Sequence, residues 1–171
     1  MTDTGNEKND YDYPNTTTDN EKSDNDVVLT GSCPSNNKFC HEHDGLFWSD
    51  KSERMTWEEA IAYCSDMGGR LPNINELRTL IINCPGTQTG GTCKASDPDC
   101  LSFDECWSEE SCHCDGSAES YSALGDDKNT RLWSASELSD SSEHSWNVYF
   151  DNGDVDDIHK TSNTFLRCVR H

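Results

Sequence analysis

Basic residues are scarce in this chain: 13 Lys and Arg stand against 33 Asp and Glu, a formal net charge of −20 over 171 residues. Phosphate binding is carried by clustered Lys and Arg, so nucleic acid and anionic membrane are excluded as expected partners, and cations become the more natural ligands. Apolar residues are scarce as well. The hydrophobic share of 32% falls below the roughly 45–50% of ordinary globular chains, which permits only a small core. No apolar run approaches the ~20 residues that cross a bilayer. The first residues carry no hydrophobic signal-peptide core either, so a removed export signal is expected upstream. Tight C-x-x-C pairs are missing, and with them the usual spacing of zinc-bound cysteine. The sequence also lacks a Gly-x-Ser-x-Gly elbow, a phosphate loop and a zinc-protease helix, which leaves no catalytic signature.

Cysteine is abundant. Ten residues compensate for the small core, because each native disulfide contributes on the order of 2–4 kcal/mol by restricting the unfolded chain. They imply an oxidising compartment. Cys33 and Cys40 bracket a short loop containing Pro34-Ser35-Asn36-Asn37 and suit a local clip. Cys64 and Cys168 are expected to pair, closing a loop for which chain entropy gives about 4.7 kcal/mol. Cys84, Cys93, Cys100, Cys106, Cys112 and Cys114 staple a long loop, with their mutual pairing open. Were the thiols reduced instead, Cys40, His41, His43, Cys112, His113 and Cys114 would be the ligand candidates for a metal or thiol enzyme.

Residues 1–32 are Asp, Asn, Thr, Glu and Lys with almost no aliphatics, and read as a disordered acidic tether carrying a glycosylation sequon at Asn15. Residues 33–171 read as one domain with a loop insertion at about 85–130. Thr56 with Glu59, and Asn73 with Glu76, have the spacing of two capping boxes. Trp57, Ala60, Ile61, Cys64 and Met67 form the apolar stripe of the first helix, which stops at Gly68-Gly69 before Pro72; Ile74, Leu77, Leu80 and Ile81 form that of the second. Gly45 to Ser49 reads as a strand. From Arg131 the period changes to two, predicting an antiparallel meander through 132–136, 145–150, 155–159 and 165–170. Asn152-Gly153 marks a type I′ hairpin turn. The class is therefore α+β.

Trp133, Trp146 and Phe150 alternate with polar residues and are assigned to the core, while Asn147 and Tyr149 point the other way. With Trp107, Tyr121, Glu137 and His144 in or near loops, they form the candidate recognition surface. Asp151, Asp154, Asp156 and Asp157 cluster around the hairpin with Asn152, and Asp126 and Asp127 join them if the loop folds over the sheet. Such an oxygen-rich set suits calcium, although the spacing matches no EF-hand loop.

Gly-Leu-Phe-Trp at 45–48, Met-Thr-Trp-Glu-Glu-Ala at 55–60 and Arg-Leu-Pro-Asn-Ile-Asn-Glu-Leu-Arg at 70–78 belong to one ordered pattern. Leu-Trp-Ser-Ala-Ser at 132–136, Trp-Asn-Val-Tyr-Phe-Asp-Asn-Gly at 146–153 and Leu-Arg-Cys-Val-Arg at 166–170 complete it. Over about residues 45–171 the chain resembles the Lcl C-terminal domain family of exported bacterial domains. The resemblance implies a C-type-lectin-like fold, with two helices on a small antiparallel sheet and a long variable loop. It also implies an extracellular or cell-envelope location. Trp146-Asn147 is followed by Val148 and no Glu-Pro-Asn occurs, so the calcium-dependent sugar site of lectins with this fold is not expected. The expected function is a non-catalytic ligand-binding or adhesion module for a glycan or protein surface. The alternative is a structural or oligomerisation module of an envelope protein.

Overall fold

A computed structural model describes residues 31–116 and 119–171; most of the acidic tether and the Asn15 sequon lie outside the described residues. The first strand, β1 (Phe39–His43), was not expected, and it grows directly out of the Cys33–Cys40 clip. It pairs antiparallel with β2 (Leu46–Ser49), closing at His43 and Leu46. The two residues between them, Asp44 (φ +50°) and Gly45 (φ +74°), both have positive φ, as the primed hairpin turns require. The Asn152-Gly153 turn does not match that expectation. Only Gly153 is left-handed (φ +63°), and four residues separate the closing pair Tyr149 and Asp154.

Two helices follow. In α1 (Trp57–Asp66) the Glu59 carboxylate accepts from the Thr56 N–H at 2.9 Å and from its hydroxyl at 2.7 Å. In α2 (Ile74–Arg78) Asn73 Oδ1 accepts from the Glu76 N–H at 2.9 Å, and Glu76 returns the bond to the Asn73 N–H at 2.8 Å. Both capping boxes thus satisfy backbone donors that a helix start leaves bare. The α1 stripe is narrower than its spacing suggests. Ala60 and Cys64 are buried and Trp57 is half-buried with its indole N–H on the Ser134 carbonyl, but Ile61 is exposed. Helix α2 ends earlier than its apolar pattern, yet Leu80 and Ile81 remain buried beyond it.

After α2 the chain makes the long excursion to residue 130, which is not structureless: it holds the single-turn helices α3 (Phe103–Cys106) and α4 (Glu109–Cys112). The meander is β3 (Arg131–Glu137), β4 (His144–Tyr149) and β5 (Asp154–His159), all antiparallel. The last segment departs from it. Only Val169–Arg170 forms a strand, β6, and it pairs with β2 instead of extending the meander, so the sheets are β1-β2-β6 and β3-β4-β5.

Trp133 and Trp146 are both fully buried but on opposite faces of β3-β4-β5. Trp146 packs with Val148, Phe150, Val155 and the loop cysteines, and Trp133 packs with Ala60, Cys64, Leu71 and Leu166. With both faces covered, this sheet has no broad solvent side. The disulfides bind the layers. Cys64–Cys168 ties α1 to the residue before β6 across a separation of 104, as expected. In the loop the pairs are Cys84–Cys114, Cys93–Cys112 and Cys100–Cys106.

Candidate binding cleft

The cleft is built on one face of the meander, where β3, β4 and β5 present Arg131, Tyr149 and Ile158 beside the segment leading to β6. It encloses about 320 Å³ and is completed by Arg54, Asn129, Asn163, Thr164 and Phe165. Two aromatic faces carry cations. The Arg131 guanidinium lies 5.0 Å from the Tyr149 ring centroid, and Phe165 is approached by Arg54 at 4.5 Å and Lys51 at 4.7 Å. Carboxylates balance the outer charges: Asp156 lies 3.5 Å from Arg131, and Asp127 lies 2.8 Å from Lys51, whose hydrogen bond, with its charge, holds the Asp127 carboxyl below its ordinary value. The result is a small cationic and aromatic depression on a strongly acidic chain. Such a surface can stack on an apolar face of a ligand and donate hydrogen bonds to its oxygens.

The six recognition candidates do not converge. Tyr149 lines the cleft. Asn147, expected on the open face, is fully buried, its amide donating to the Asp156 carbonyl at 2.9 Å; the second covered face of the sheet is the reason. Tyr121 is buried with its hydroxyl donating to the Asp115 carbonyl at 2.6 Å. Trp107 is half-buried and stacks on Phe103 at 4.9 Å, which in turn stacks on Trp146. Glu137, paired with Lys160, and His144, edge-on to His159 at 5.1 Å, sit at the other end of β4 from Tyr149.

The acidic residues are not gathered either. Among the described residues, no three of Asp126, Asp127, Asp151, Asp154, Asp156 and Asp157 bring their oxygens within 4.8 Å of one another. Asp126 is bound to Arg167, and Asp151 lies 3.5 Å from Lys128. Asp154 is different. Burial, with the charge of Asp156 added, pushes its carboxyl up to about 6, against the opposing pull of Arg131, His113 and the Trp107 indole N–H.

Arg78 organises the loop, a role its sequence position did not disclose. Only 2% exposed, it donates from Nε to the Thr87 carbonyl at 2.7 Å and from Nη2 to the Gln88 and Cys93 carbonyls at 2.9 and 3.0 Å, while Nη1 meets the Ala95 carbonyl. Burial lowers its pKa from the ordinary arginine value. Its place in the Arg-Leu-Pro-Asn-Ile-Asn-Glu-Leu-Arg block was the available signal.

These features define an α+β domain stapled by five disulfides, with a surface cleft and no described helix long and apolar enough to cross a membrane. The chain belongs to the Lcl C-terminal domain family, whose model matches residues 38–170. No curated protein and no solved structure matches it.

Proposed function

We propose that this domain is an exported or surface-displayed binding module, acting in adhesion by recognition and without chemistry, and that its ligand docks in the cleft of Arg54, Arg131, Tyr149 and Phe165. The observation that carries the reading is the pairing of guanidinium groups with aromatic faces in one concave site, flanked by the amide and hydroxyl side chains of Asn129, Asn163 and Thr164. A glycan fits this chemistry, since sugar C–H faces stack on rings and sugar hydroxyls accept from guanidinium and amide N–H groups; a polar protein loop is the second ligand class. Two helices, antiparallel strands and a long stapled loop support a C-type-lectin-like arrangement. The five disulfides support an extracellular or envelope location. Among the described residues no cluster of carboxylate oxygens lies in the cleft, and recognition there would rest on the guanidinium and amide donors.

Glycan and protein arrays probed with the full chain, with Tyr149→Ala and with Arg131→Ala test the reading. Binding should fall at least tenfold in both variants while the thermal midpoint stays close to that of the parent. Undiminished binding by both variants would place the ligand elsewhere. The structural or oligomerisation alternative has its own observation, the exposed Ile61 and Tyr63, which flank the buried stripe of α1 on its two sides. A mass that rises with concentration, and reverts to monomer in Ile61→Ser, would favour it.

A further inference from the structure

We propose that Cys33, Cys40, His41 and Asp50 form a redox-gated zinc site: a closed cystine when oxidised, and a four-ligand metal site when a small dithiol reductant opens the Cys33–Cys40 bond. The two sulfurs, a His41 ring nitrogen and an Asp50 oxygen all lie within 4.8 Å of one another. Tetrahedral zinc, with bonds of about 2.3 Å to sulfur and 2.0–2.2 Å to nitrogen and oxygen, spaces its ligands by roughly 3.3–3.8 Å. The four groups therefore need to move little.

The existing hydrogen bonds already hold two of the four ligands in place. His41 is 5% exposed, and its ring is held by Nε2 to Asp50 Oδ1 at 2.7 Å, while Nδ1 is covered and has no hydrogen-bond partner among the described residues. Asp50 is fixed in turn by the Cys33 N–H, which donates to Oδ2 at 2.8 Å. Zinc at His41 Nε2 would take the place of the proton that this nitrogen now shares with Asp50 Oδ1, so the contact that makes the hydrogen bond already brings both ligand atoms toward one ion. A cavity of about 450 Å³, lined among others by Cys33, Asp50, Tyr63 and Met67, gives an ion access from solvent.

The gate acts at this disulfide before the others. Cys33 and Cys40 are both partly exposed, whereas each of the other four pairs has at least one cysteine buried. In the reduction, the dithiol's two sulfurs join as its own disulfide, and two electrons and two protons pass to Cys33 Sγ and Cys40 Sγ. Zinc then replaces both thiol protons, which leave to solvent as two Zn–S bonds form. Reoxidation by a small-molecule disulfide, which takes up the two electrons and leaves as two thiols while the Cys33–Cys40 bond re-forms, would expel the ion.

The test is a titration of the full chain with a mild dithiol, alkylation mapping to show which bond has opened, and addition of zinc alone. Native mass should show one zinc per chain only after Cys33–Cys40 opens, and none in C33S/C40S. Cobalt in place of zinc should give a thiolate charge-transfer band. Asp50→Asn and His41→Ala should weaken binding at least about tenfold. Because His41→Ala removes a buried ring, its thermal midpoint in the oxidised form serves as the folding control, and Asp50→Asn carries the argument if that variant fails to fold. Absence of zinc from the selectively opened chain, or equal zinc binding by Asp50→Asn, would overturn the proposal.

Discussion

Arg167 Nη2 and Asp126 Oδ1 meet at 2.7 Å with 7% and 1% of their side chains exposed, the most deeply covered ion pair among the described residues. Arg167 Nε also reaches both oxygens of Asp126, and Nη1 donates to the Ser49 carbonyl at 2.6 Å. The pair thus ties the end of the long loop to β2 and to the segment before β6.

Removing one partner strands the other charge in the interior, which costs about 3–5 kcal/mol. Asp126→Ala should therefore lower stability by that amount in denaturant titration. Asp127→Ala, whose partner Lys51 is more exposed, should cost under about 1 kcal/mol. Equal losses in the two variants would refute the assignment.

Arg78→Met keeps the volume of the side chain but removes the donor shared by the Thr87, Gln88, Cys93 and Ala95 carbonyls, of which that of Gln88 keeps the Gly91 N–H. Hydrogen bonds to charged groups contribute about 1.5–3 kcal/mol each and are not additive, so a loss of at least ~3 kcal/mol is expected. Oxidative refolding of this variant should also yield mispaired Cys84, Cys93, Cys112 and Cys114. Native pairing at unchanged stability would show that the disulfides alone shape the loop.

The raised Asp154 sets a pH dependence of defined sign. Its folded value of about 6 exceeds the ordinary 3.8, so between these values the native state holds a proton that the unfolded chain has lost. Stability from this group is fully present below about pH 4 and is lost as pH rises through about 6. The group is partly solvated, so the loss is on the order of 2 kcal/mol. Asp154→Asn should match the parent near pH 4 and exceed it at pH 7.5 in thermal or urea unfolding. A constant difference across that range would contradict the burial argument.

The dispersed carboxylates predict that calcium leaves the domain unchanged. A site with a Kd of about 10 μM would add about 2.7 kcal/mol in about 1 mM calcium, a shift of several degrees in the thermal midpoint. The midpoints in calcium and in chelator should coincide. A higher midpoint in calcium, lost in Asp154→Asn, would restore the hairpin as a metal site.

The sequence by itself determined the local structure: both capping boxes, the Cys33–Cys40 clip, three strands of the meander and the buried tryptophans. Each rests on spacings of three to seven residues, or on alternation by two, which act locally along the chain. The Asp44-Gly45 turn was equally local and equally readable, although the Asn152-Gly153 pair drew the type I′ assignment. The Cys64–Cys168 pair was legible because an apolar helix face and a final strand must meet in so small a core. Tertiary structure decided the rest. Pairing β6 with β2 joins the two ends of the domain, a choice that no spacing along the chain records. The same holds for Asn147, which alternation would send to solvent and a second packed layer buries. Asp126 and Arg167 are 41 residues apart, and which of 33 acidic residues meets that guanidinium depends on the path of the loop. The cleft is of the same kind: Arg54, Arg131, Tyr149 and Phe165 come from four separate segments, and only the folded chain brings them to one surface.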